Sequence, residues 1–175
     1  MWLTTLVFAA LLLLPPFVRE SVEEAGDADP TSATKSLCIE GEQIIFSCQL
    51  KRATKIVSLC ASADLAKERG YLQYRFGLPG KIELQFPQDR QRPQQNFHYA
   101  HYFRYQVDMT EIGFRIDGHQ YSIFDEYNGE EKPSRTDQGV SVTAPGKDQP
   151  VKLVCDGKAT ADYSLLSEVL PVEEK

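Results

Sequence analysis

Apolar and polar residues alternate in short runs from about residue 43 to residue 155, the two-residue period of half-buried β-strands. The runs predict strands at 43–49, 55–61, 70–76, 81–86, 97–107, 111–117, 119–127, 139–143 and 151–155. Turn dipeptides separate most of them. Asp117-Gly118 is the signature of a two-residue type I′ hairpin, and it sets Ile116 across from His119, Phe114 from Tyr121 and Ile112 from Ile123. Ala144-Pro145-Gly146-Lys147 joins the Val140/Val142 run to the Val151/Leu153 run. In GYLQYRFGLPGKIELQFP the alternation predicts a hairpin closed by Leu78-Pro79-Gly80. Phe76 then faces Ile82, Leu72 faces Phe86 and Arg75 faces Glu83. Tyr71, Gln73 and Arg75 are the outward set of that hairpin, a candidate surface beside its role as scaffold.

Two segments depart from the two-residue period. Residues 62–69 (SADLAKER) predict one short helical turn capped by Ser62. Residues 161–170 space Tyr163, Leu166, Val169 and Leu170 at helical intervals. Eight to nine short strands at hairpin spacing predict an all-β fold, an antiparallel sandwich or barrel, with a short C-terminal helix.

The ends change the picture of where the chain works. Residues 3–14 are almost unbroken apolar and stop at Pro15-Pro16. That is too short for a bilayer span, which takes roughly 20 residues, and it fits the apolar region of a secretory leader. The expected organisation is a signal peptide over 1–25, an acidic linker over 26–36 and one β domain over 37–175, secreted or periplasmic, with no membrane association once the leader is cleaved. Four cysteines, Cys38, Cys48, Cys60 and Cys155, then predict two disulfides. The strand pattern places Cys48 opposite Cys60 and leaves Cys38 to join Cys155. Spacings without a C-x2-C pair disfavour a zinc site.

Charge and chemistry narrow the function. The chain has 25 Asp+Glu against 19 Lys+Arg, a net charge of −6, which disfavours nucleic acid as a partner and permits a cationic protein. There is no G-x-S-x-G and no phosphate-cradling glycine motif, and no cofactor is expected. His98 and His101 lie three apart on one strand and so point to opposite faces. Asp125, Glu126, Glu130 and Glu131 sit in FDEYNGEEKPSR, which reads as a solvated loop. The binding candidates come from two places. The aromatic run NFHYAHYFRY presents Tyr102 and Arg104 outward, residue types that anchor interfaces. The polar stretch 127–138, with Glu126 beside it, adds Tyr127, Glu130 and Arg135.

The runs FSC, VSLCAS and GYLQYRFGLPGKIELQFP, followed by IGFRIDGHQYSIFDEY, GVSV and LVCDG, resemble a group of small secreted bacterial proteins without an established activity. The resemblance covers most of the chain after Leu37, and GYLQYRFG-x-PG is its most specific piece. More remotely, the leader, the disulfide-tied antiparallel domain and the acidic character are similar to those of periplasmic lysozyme inhibitors. That likeness implies a non-enzymatic binding module that places a loop in the cleft of a cell-wall hydrolase such as lysozyme. No loop motif of the Ser-Gly-x-x-Tyr type occurs here, so no residue role carries over. The alternatives are a β-barrel around a small apolar ligand and a hydrolase that uses Asp125 or Glu126.

Overall fold

The computed structural model describes residues 35–173; the expected leader and the linker up to residue 34 lie outside them. In chain order the elements are β1 (Glu42–Gln49), β2 (Ile56–Ser62), β3 (Leu72–Leu78), β4 (Lys81–Phe86), β5 (Phe97–Arg104), β6 (Val107–Ile116), β7 (His119–Asn128), β8 (Arg135–Thr143), β9 (Val151–Val154), β10 (Thr160–Ala161) and α1 (Leu166–Val169). They form two antiparallel five-stranded sheets, ordered β10-β1-β2-β3-β4 and β5-β6-β7-β8-β9. Nearly every pairing is therefore a hairpin between sequence neighbours, the connection that short turns favour.

The fold is all-β, a sandwich whose core lies between the two sheets. Phe46, Val57, Leu59, Leu72 and Tyr74 come from the first sheet; Phe97, Ile112, Phe114, Ile123 and Val140 come from the second. The Tyr74 ring lies 4.9 Å from that of Phe114, which stacks between Phe86 at 5.6 Å and Tyr121 at 5.3 Å. Such contacts add about 0.5–1.5 kcal/mol each to the area they bury. Leu166 and Val169 of α1, with Leu170, add to the same core. At one corner the sheets are stitched together, with Lys51 N–H donating to Val154 O and Asp156 N–H to Gln49 O, both at 2.8 Å.

The disulfides are Cys38–Cys60 and Cys48–Cys155, not the expected pairs. Register and face both forbid Cys48–Cys60. β1 sets Cys48 opposite Val57, three residues short of Cys60. Cys48 points into the core, whereas Cys60 alternates with the core residues Leu59 and Ala61 and so points to the other face. There it meets a strap, residues 35–41, that crosses the outside of the first sheet. Leu37 N–H donates to Ser58 Oγ at 3.0 Å, and Ser47 Oγ donates to Lys35 O at 2.9 Å.

The same strap buries the expected outward surface of GYLQYRFG. Arg75 and Gln73 are 4% and 3% exposed. Arg75 donates to both carboxylate oxygens of Glu42, at 2.6 and 2.8 Å, and to Leu37 O at 3.0 Å; Tyr71 Oη donates to Glu42 at 2.9 Å. The β3–β4 register is also shifted. Leu78 joins the strand and pairs with Lys81, leaving a two-residue turn, and a bulge at Gly77 sets Phe76 opposite Leu84 and Arg75 opposite Gln85.

Three other expectations change in detail. The 97–107 strand is broken at Tyr105-Gln106, where Gln106 takes φ +61° and the chain turns into β6. Residues 62–69 form turns rather than a helix, because Ser62 is the last residue of β2 and its Oγ accepts from Tyr71 N–H. The C-terminal helix is confined to Leu166–Val169, since Thr160 and Ala161 pair with β1. The Asp117-Gly118 hairpin has the expected register, and the Ala144–Lys147 turn joins the expected runs, with Val142 opposite Val151 and Val140 opposite Leu153. Among the described residues no helix is long and apolar enough to cross a membrane.

Candidate functional site

The strands of the second sheet outrun the core. The last row facing the first sheet is Tyr99, Ile112, Ile123 and Val140; β5 to β8 continue past it to the turns at Tyr105-Gln106 and Gly129–Ser134. Alternation and register then dictate what this end displays. One cross-sheet row on its outer face is Tyr102, Met109, Glu126 and Asp137, and the next is Arg104, Val107, Asn128 and Arg135. These rows line a depression of about 470 Å³, closed at its sides by Tyr127, Glu131 and Lys152. Five of the six expected binding residues, Tyr102, Arg104, Glu126, Tyr127 and Arg135, line it. The sixth, Glu130, sits beside it on Arg104.

Ion pairs set the shape of this end. Arg104 grips Glu130 with two hydrogen bonds, at 2.6 and 2.7 Å, and so ties the β5–β6 turn to the β7–β8 turn. Arg135 meets Asp137 at 2.5 Å, and Lys152 meets Glu126 at 3.1 Å while lying over the Phe124 ring. The Glu130 carboxyl is held below its ordinary range by the hydrogen bonds from Arg104. Asn128 braces the turn from within, accepting from Glu130 N–H at 2.9 Å and donating to Glu131 at 3.2 Å. Gly129 N–H donates to Gln106 O at 2.7 Å, a backbone link between the two turns.

Around this rigid tip the aromatic residues are open. Tyr105 is 83% exposed, Phe103 72%, Tyr127 41% and Tyr102 38%. The inner face beyond the core carries a smaller depression of about 230 Å³, lined by Asp108, Thr110, Asp125, Tyr127 and Tyr163. His101 Nε2 and Asp108 meet there at 2.8 Å. Tyr163 donates to Asp125 at 3.1 Å, and Gln138 donates to the same oxygen at 2.8 Å; burial and this carboxylate together push the Tyr163 phenol far up.

Asp125 and Glu126 are strand residues, as the 119–127 run predicts and against the reading of FDEYNGEEKPSR as a solvated loop. As neighbours on β7 they point to opposite faces and into different depressions. His98 and His101 diverge in the same way, His98 toward Glu173 at 3.6 Å. Cys38, Glu42 and Cys60 place three potential metal-ligating atoms close together, but the two sulfurs are bonded to each other and Glu42 is held by Arg75. The sequence reading missed Lys152, Met109 and Val107. The Ala144–Lys147 turn marks the β8–β9 connection, but residues 144–150 separate the two strands, so the turn alone does not give the pairing of Ser141 with Lys152 that brings Lys152 beside the site.

Comparison with known proteins finds no matching family model, no matching curated protein and no matching solved structure. The two disulfides fit an oxidising, extracellular environment.

Proposed function

We propose that this chain is a secreted or periplasmic, non-enzymatic binding module that engages a protein through the projecting end of its second sheet. The observation that carries the reading is the tip itself: four exposed aromatic side chains and two arginines, all on strands except Tyr105 in the β5–β6 turn, braced by ion pairs. Tyrosine and arginine anchor interfaces because they bury large area with little loss of conformational freedom. A preorganised surface also avoids the cost of ordering loops on binding. Asp125 and Glu126, the carboxylates of the hydrolase alternative, open into different depressions, and the four cysteines are bonded in pairs.

For the partner we favour a cationic cell-wall hydrolase of the lysozyme type. The acidic balance of the chain permits a basic partner, and the remote resemblance to periplasmic lysozyme inhibitors drawn from the sequence motivates this choice; at the tip Glu126, Glu130 and Asp137 are paired with Lys152, Arg104 and Arg135, and Glu131 lies beside them. The test is calorimetric titration of the protein with lysozymes of several types at low and moderate salt. The reading predicts a one-to-one complex with at least one of them, weakening as salt rises, and loss of that lysozyme's activity. Absence of heat with every lysozyme at low salt would remove this partner.

A further inference from the structure

The sheet edges differ in how they are protected. β10 is two residues long. β4 carries Lys81 and Glu83, with Glu83 held by Lys55 at 2.6 Å. β9 is four residues long and carries Lys152. Short edges and edge charges are the usual defences against pairing with another chain. β5 has a different arrangement. Its first half is covered by the C-terminal segment, which bridges Tyr99 and Val172 in parallel; Tyr99 N–H donates to Pro171 O, and Glu173 N–H donates to Tyr99 O, both at 2.9 Å. Its second half, His101–Arg104, has no strand beside it among the described residues and is exposed throughout. Its one formally charged side chain, Arg104, is turned to Glu130, and no Lys, Asp, Glu or Pro interrupts it.

We infer that this bare edge pairs with the same edge of a second copy of the chain. Tyr99 turns its N–H and C=O outward to the C-terminal segment, so His101 and Phe103, two and four residues on, turn theirs outward as well. The stretch Tyr102-Phe103-Arg104 is self-complementary about Phe103. On a twofold axis through that residue, Phe103 faces Phe103 of the second copy and Tyr102 faces Arg104, the last residue of β5. Each outer face then sets a guanidinium against a tyrosine ring, and the inner face joins two phenylalanine rings; no like charges oppose. Registers nearer the start of the strand need Tyr99, whose groups the C-terminal segment holds. The product is one antiparallel sheet running through both copies. The ladder is short, so the dimer is weak and grows with concentration. Tyr102 and Arg104 also line the proposed recognition surface, so self-pairing and partner binding exclude each other. The pairing itself does not rest on what the partner is.

Sedimentation of the exported, disulfide-bonded protein from micromolar to millimolar concentration tests this. Dimer is expected to rise with concentration, with slowed hydrogen exchange at the Phe103 amide. Phe103→Cys is expected to form a crosslinked dimer, because facing residues in such a ladder lie about 5.5 Å apart at Cα, within disulfide range. Phe103→Lys, at a site 72% exposed, is expected to leave the melting temperature unchanged and weaken the dimer by at least about tenfold. A monomer at all concentrations overturns the inference, as does a dimer indifferent to Phe103→Lys. Protection of Phe103 that arises only when a lysozyme is added overturns self-pairing and gives the edge to the partner.

Discussion

Glu42 and Arg75 join the strap to the first sheet through a buried ion pair, their side chains 2% and 5% exposed. Burial alone would push the Glu42 carboxyl up. The hydrogen bonds from Arg75, Ile39 N–H and Tyr71 outweigh it and hold the carboxyl below its ordinary 4.5. The unfolded chain takes up this proton near 4.5, and the folded chain only at lower pH. The contribution to stability is thus full above 4.5 and drains as pH falls through the folded value. Glu42→Gln leaves Arg75 a buried charge without its counter-ion, so the expected loss at neutral pH is about 3–5 kcal/mol. Melting temperatures should also show a shallower decline in acid for Glu42→Gln than for the native chain; parallel declines would mean that Glu42 does not carry this dependence. None of this was legible locally. RFG in an alternating run reads as an outward arginine, and only the strap, placed by a disulfide to β2, turns that face into an interior.

The hairpin with a type I′ signature was legible in full. Asp117-Gly118 supplies two positive φ values, +46° and +78°, and the β6–β7 register follows from it. Gly118→Ala should therefore cost about 1–2 kcal/mol by denaturant unfolding, because a side chain at that φ is strained; a neutral effect would show that the turn is not held. Two hairpins without such a signature misled. The β1–β2 connection takes its positive φ at Arg52, a residue that gives no sign of it, and the register error of three residues carried the disulfide pairing with it. The Gly77 bulge shifted β3–β4 in the same silent way. The Cys48–Cys155 bond closes 107 residues and Cys38–Cys60 only 22, so chain entropy assigns them about 5 and about 3 kcal/mol. Unfolding of the two paired Cys→Ala variants should show the larger loss for Cys48/Cys155. The opposite order would mean that the strap, rather than loop closure, dominates.

The molecule as a whole is a packed sandwich with one end left over, and that end carries the proposed recognition surface. Much of it could be read from sequence because outward parity on β5 and the polar stretch after β7 are both local properties. The alternation carries β7 to residue 127, one short of its end; what could not be read was that β8 begins at Arg135 rather than at residue 139, which converts much of an apparent loop into a braced sheet end. The neighbours Met109, Val107 and Lys152 reach the site only through cross-strand register, a non-local property. The most direct test of the central claim compares lysozyme binding by the native chain with binding by Tyr102→Ala/Tyr127→Ala, both rings being partly exposed and removable without opening the core. At a protein concentration where the chain is monomeric, calorimetry should show at least about a hundredfold loss of affinity, the weight of two interface anchors, with the melting temperature held. Undiminished affinity in the double variant would place the partner elsewhere on the molecule and contradict the account.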